Sequence, residues 1–146
     1  MSGSRLSSEM VHASTVAIGG RAVLLTGPSG AGKSDLALRL LDRGFSLVSD
    51  DQTLIQRQGD MLIASAPPTI AGKLEVRGIG IVDMEALEKV PLALIVELTG
   101  EFDRLPEDNR ERQILGVQLP LITVDAMTAS AASKVALGLE RLGRKF

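Results

Sequence analysis

Residues 14–18, polar at Ser14-Thr15 and apolar at Val16-Ala17-Ile18, lead up to Gly19-Gly20, and Ala22-Val23-Leu24-Leu25-Thr26 then runs almost wholly apolar into Gly27. This pattern predicts two strands joined by a tight turn, the second buried on both faces. Leu36, Ala37, Leu40 and Leu41 recur at helical spacing over residues 34–41, with Asp35 early, Arg39 and Arg43 late, and Gly44 as the stop. An α-helix follows from that spacing and that charge order. Residues 45–48 give a short apolar strand ending at the polar Ser49-Asp50-Asp51, a position where buried strands often present a site. Segments 53–57 and 61–65, joined through Gln58-Gly59-Asp60, read as a hairpin stopped by Pro67-Pro68. A glycine-interrupted stretch covers 74–82, and Asp83 is placed to cap a short helix through Glu88. Residues 92–98 form another buried strand. Residues 99–112 are charged and aperiodic, with Pro106 inside, and read as a long solvated loop. Two short strands split at Pro120 are expected over 113–124, and a closing helix rich in Ala and Leu over 128–141.

The 146 residues suffice for one domain, and 45% apolar with 23% charged side chains permits a packed core. Sixteen basic against eighteen acidic groups leave a charge of −2, so no positive field collects nucleic acid or an anionic membrane. Three Phe with no Trp or Tyr remove the stacking platforms of single-stranded nucleic-acid binders. Lack of Cys excludes disulfides, thiolate metal sites and thiol nucleophiles, and with His12 the one histidine any metal must rest mainly on oxygen. No apolar run is long enough for a membrane span or a signal core, so a cytoplasmic protein is expected.

Between the second strand and the first helix, Gly27-Pro28-Ser29-Gly30-Ala31-Gly32-Lys33-Ser34 matches G-x-x-x-x-G-K-[ST]. Three glycines let consecutive N–H groups face phosphate oxygens, and the helix N-terminus adds its positive dipole end. Lys33 is placed to meet the β/γ phosphates and Ser34 to offer its hydroxyl to Mg²⁺. Asp50-Asp51 reads as an acidic turn, as a magnesium-binding carboxylate, or as a general base whose proton affinity rises beside its neighbour. Glu75 and Arg77 flank Val76 and point to one side of a strand, as a surface ion pair or as a metal ligand beside a phosphate contact. Taken by itself, His12 between Val11 and Ala13 reads as structural or as functional. The fold class that accommodates all of this is α/β: a single P-loop domain with a mixed sheet and a C-terminal helix, spanning 11–146 after a flexible N-terminus of residues 1–10.

Together the P-loop, Leu47-Val48-Ser49-Asp50-Asp51, Val11-His12-Ala13 and above all Leu74-Glu75-Val76-Arg77-Gly78-Ile79-Gly80-Ile81-Val82-Asp83 resemble HPr kinase/phosphorylase over residues 11–124. The resemblance implies ATP- and Mg²⁺-dependent phosphorylation of a serine on an HPr-type phosphocarrier of the bacterial sugar phosphotransferase system, with reversal by inorganic phosphate in many members. By motif, residues 27–34 correspond to the ATP-binding loop, Lys33 and Asp51 to catalytic residues, His12 to their active-site partner, and Ser34 and Glu75 to the magnesium positions. Phe102-Asp103-Arg104-Leu105 is similar to the family's D-R-L segment, which makes Arg104 the active-site arginine. A homo-oligomer, hexameric in the family, is implied as well.

Two departures shape the expectation. His12 lies almost at the start, so the chain resembles a short form holding the C-terminal catalytic domain. Residues 125–130, Asp125-Ala126-Met127-Thr128-Ala129-Ser130, carry no cation where the family has an arginine- and glycine-containing loop tied to dephosphorylation, and 83–92 is abbreviated. Weak phosphorolysis is therefore expected. The competing readings are a small-molecule P-loop kinase and a nucleotide-binding regulatory module without catalysis.

Overall fold

The computed structural model describes residues 7–100 and 110–146. Its centre is a run of three parallel strands, β3 (Arg21–Thr26), β9 (Val90–Leu98) and β11 (Val117–Val124), with β3 and β11 on opposite sides of β9. These are the most apolar strands of the chain, as burial on both faces requires. Beyond β3, strands β2 (Ala13–Ile18) and β4 (Ser46–Ser49) extend the sheet antiparallel, one after the other. On the other side, β6 (Met61–Ser65) pairs with the start of β9, followed by β5 (Thr53–Gln58) and β1 (Ser8–Val11). Strand β10 (Glu111–Ile114) pairs with β11. Separate from this sheet, β7 (Lys73–Val76) and β8 (Gly80–Asp83) form a hairpin.

Two cores lie on opposite faces. One places Val23, Leu25, Leu94 and Val96 beneath helices α1 (Lys33–Leu41) and α2 (Ala131–Leu142), which contribute Leu36, Leu40, Val135 and Leu139. The second joins Leu24, Leu92 and Ile95 to Ile55, Leu62, Leu119 and Leu121, so strands rather than helices close it. The fold is α/β with a mixed sheet and a C-terminal helix, and none of its described helices is long and apolar enough to cross a membrane.

Four local expectations are corrected. Ser8, Glu9 and Met10, assigned to a flexible N-terminus of residues 1–10, are strand residues paired with Gln56, Ile55 and Leu54. Asp83 caps no helix: it ends β8 opposite Lys73, whose Nζ donates to Asp83 Oδ1 at 2.8 Å, and residues 84–88 run without helical structure. The break in 113–124 falls at Leu115-Gly116, both at positive φ (49° and 82°), and Pro120 lies inside β11. Leu121 N donates to Arg110 O at 2.9 Å, so Glu111 and Pro120 face one another as a non-hydrogen-bonded pair, and the missing proline N–H costs that ladder nothing. Finally, the loop assigned to 99–112 gives way to β10 at Glu111.

Leu24 is fully buried whereas Leu137 is 51% exposed. Leu24→Ala is expected to lower the unfolding free energy by about 2–5 kcal/mol through lost transfer energy and the cavity left behind, and Leu137→Ala by less than about 0.5 kcal/mol. Urea titrations of the two variants check the contrast.

Candidate active site

Strand β3 delivers the chain into the P-loop at Thr26, whose hydroxyl donates to Val96 O at 3.2 Å and ties the strand end to β9. Gly27, Gly30 and Gly32 then adopt φ of 150°, 84° and 97°, conformations that side-chain-bearing residues rarely enter. A Cβ on Gly27 would also lie 3.0 Å from Leu98 O, and one on Gly32 3.1 Å from Ala126 Cβ. Gly32 caps α1, so the helix begins at Lys33 and its free N–H groups open into the loop. The buried Lys33 folds back, its Nζ donating to Gly27 O at 2.7 Å and Pro28 O at 3.1 Å.

At the end of β4, Asp50 is buried, with a relative exposure of 6%. Its Oδ1 accepts from Ser34 Oγ at 2.7 Å and from Ser14 Oγ at 2.8 Å, and its Oδ2 accepts from the Glu75 backbone N–H at 3.1 Å. One carboxylate thus joins the P-loop helix, strand β2 and the β7–β8 hairpin, and three donors justify keeping a buried charge. Asp51, next in sequence, points the other way. It sits at φ 68° in a tight turn closed by Gln52 N donating to Asp50 O at 2.7 Å, and its carboxylate is exposed. His12, between β1 and β2, sets Nε2 2.9 Å from Asp51 Oδ1. With both side chains half or more exposed, this pair is worth at most about 1 kcal/mol to stability, so stability does not explain it.

Lys33, Ser34, Glu75, Arg77 and Met127 line a single cleft of about 500 Å³ along the P-loop. The structure therefore brings Gly30, Gly32, Lys33 and Ser34 of the 27–34 loop together with Glu75, and sets His12 against Asp51, while Arg104 lies outside the described residues. The sequence pattern does not divide the Asp50-Asp51 pair; Asp50 is the buried member, and its burial follows from facing α1, which strand spacing alone does not reveal. Arg39, a dipole partner of α1 by charge order, has a second role: its guanidinium reaches Ala126 O at 2.5 Å and Thr128 O at 3.3 Å, clamping the 125–130 loop against the helix.

The HPr serine kinase C-terminal domain family matches this chain over residues 4–137. The chain belongs to that family. HPr kinase/phosphorylases of Chlorobium phaeobacteroides (strain BS1) and Burkholderia lata are 40% and 39% identical to it, over 127 and 126 residues. Each alignment covers 78% of this chain but 38% and 39% of the relative, so the chain spans about two fifths of the length of the curated relatives it matches. The solved HPr(Ser) kinase/phosphatase of Coxiella burnetii superposes with a TM-score of 0.78 at 28% identity, covering 90% of this chain and 94% of that one. Within this HPr serine kinase domain the donor set fits a magnesium–nucleotide complex. Ser34 Oγ and the Asp50 carboxylate are hard oxygen donors at the mouth of an N–H-lined loop, and Glu75 opens on the same cleft. Among the described residues no three His, Asp or Glu side chains form a metal cage of their own.

Removing the Asp50 carboxylate leaves one buried hydroxyl (Ser14), one half-buried hydroxyl (Ser34) and one backbone N–H (Glu75) without their acceptor. Asp50→Ala is expected to cost more than about 2 kcal/mol, against less than about 0.5 kcal/mol for the exposed Glu85→Ala. Thermal unfolding followed by circular dichroism measures both.

Proposed function

We propose that this domain is an ATP- and Mg²⁺-dependent protein serine kinase acting on an HPr-type phosphocarrier in the cytoplasm. The observation that carries the reading is the Asp50-Asp51 turn: its first carboxylate bonds the P-loop hydroxyl, and its second stands exposed beside the single histidine. A base next to a phosphate loop, open to solvent on its outer side, suits a hydroxyl presented by a protein rather than a metabolite enclosed in a pocket. The relatives are named kinases of HPr, which supports the same substrate class.

Bound Mg²⁺–ATP supplies the phosphoryl group and neutralises charge on it. Ser34 and Glu75 would hold the metal, with Asp50 fixing the Ser34 hydroxyl. Lys33 would supply positive charge to the nucleotide phosphates. Asp51 accepts the proton of the incoming serine hydroxyl, and His12 holds the Asp51 carboxylate through its ring nitrogen. Arg104 is assigned to charge stabilisation on the transferring group by its motif. Most of the rate enhancement is then positioning and electrostatics. Homo-oligomerisation belongs to the same proposal.

Lys33→Ala is expected to abolish measurable transfer in a folded protein. Asp51→Asn, which keeps shape and removes basicity, should lower kcat by roughly 10²–10⁴ while ATP still binds. Incubation with labelled ATP and either an HPr-type carrier or a metabolite pool checks the whole reading: label on protein supports it, label on a metabolite points to a small-molecule kinase, and binding without transfer to a regulatory module.

The reverse direction brings phosphoserine and inorganic phosphate together and needs fixed cations. Lys33, Arg77 and Arg104 remain available, but residues 125–130 supply none, Arg39 is engaged with their carbonyls, and Arg112 is paired with Glu97 at 2.5 Å. Phosphorolysis is thus expected to run well below the kinase rate. Pyrophosphate release from phosphorylated carrier, with saturating phosphate and magnesium and no ATP, gives the comparison.

A further inference from the structure

Ser14 is a fully buried hydroxyl on β2, on the sheet face that α1 covers. Its hydrogen goes to Asp50 Oδ1 at 2.8 Å, and its oxygen accepts the Asp51 backbone N–H at 3.2 Å. One side chain thus touches both members of the acidic pair, one through its carboxylate and the other through its backbone. The second bond matters because of the shape of the turn. Asp51 is the central residue of a three-residue turn, with Gln52 N bonded to Asp50 O and φ at 68°, the strained left-handed form that a residue with a side chain seldom adopts. Such a conformation persists where its surroundings over-determine it. Three bonds do so here: Gln52 N to Asp50 O, Ser49 Oγ to Gln52 O, and Asp51 N to Ser14 Oγ. The first closes the turn on itself, the second ties Gln52 to the end of β4, and Ser14 is the one side chain among them that bonds Asp51 itself. Strand β2 also shifts register against β4 between Thr15 and Val16, beside this bond, which is how bulged strands re-aim side chains near a site.

We propose that Ser14 is a positioning residue that holds Asp51 in its left-handed turn, and so keeps the Asp51 carboxylate against His12. The proposal rests on the reading of Asp51 as the base. Its chemistry is a static hydrogen-bond relay: no proton moves through Ser14, whose hydroxyl hydrogen stays committed to the ionised Asp50. Loss of the Oγ frees the Asp51 amide, lets the turn relax toward ordinary φ, and swings the carboxylate away from His12.

His12 is the one histidine in the sequence, so its ring signals report on Asp51 without ambiguity. In the wild-type protein the Asp51 amide should exchange with solvent at least about tenfold more slowly than unprotected amides, as a bonded N–H does. In Ser14→Ala the His12 ring resonances should move toward those of Asp51→Asn. The kcat for carrier phosphorylation should fall about tenfold, with KM for ATP within about twofold, the split expected when a reacting group is misplaced while nucleotide binding stays intact. Free exchange of the Asp51 amide in the wild type overturns the proposal and needs no variant. A folded Ser14→Ala with unmoved His12 signals overturns it too, including the case in which the loss lies wholly in magnesium dependence and assigns Ser14 to Asp50. The base reading fails separately, if Asp51→Asn keeps its kcat.

Discussion

Everything around the cleft is organised by a buried negative charge. Asp50 gathers hydroxyls from β2 and from the first turn of α1 and a backbone N–H from β7, three segments far apart in sequence. A desolvated carboxylate is tolerable only while such donors surround it, so the charge dictates how closely the hairpin, the helix and the sheet approach one another. The P-loop has its own glycine-based geometry, but its register against the hairpin is set through this anion. Asp51 depends on it indirectly, since the turn that exposes one carboxylate is the turn that buries the other.

Legibility from the sequence follows locality. Strand β3, the glycine loop and α1 each carry a strong local signal, namely an apolar run, a spaced motif and a 3.6-residue periodicity, and all three stand where those signals put them. The β7–β8 hairpin is legible as a glycine-interrupted segment, but its contribution of a backbone N–H to the site comes from tertiary packing alone. Pro120 misleads because its cost depends on which side of the strand needs an N–H, a property of strand pairing that composition cannot express. Asp83 misleads in the opposite sense: a capping residue is available, but pairing with Lys73 across the hairpin offers its carboxylate a partner that a short exposed helix does not. Ser8 to Met10 are too few and too polar to announce a strand, and the exposed edge of β5 supplies the template that makes them one.

Of the candidate residues, the ones read from a motif come together in space, and the ones read from a pair of like residues need the fold to tell them apart. Asp50 and Asp51 are chemically identical in the sequence. Burial and a left-handed backbone separate them into a structural anion and an accessible one. Glu75 shows a related division of labour within one residue: its backbone is committed to Asp50, and its side chain opens on the cleft.

Lys33 carries a consequence of its own. With its ammonium spanning the carbonyls of Gly27 and Pro28, the lysine behaves as an internal counter-charge that keeps the loop's shape in advance of any ligand. The two bonds tie the first turn of α1 back to the start of the loop, so part of the entropy of ordering the glycine-rich segment is spent during folding. The same arrangement makes the loop self-protecting, because the lysine latches the chain against the alternative conformations its glycines would otherwise permit.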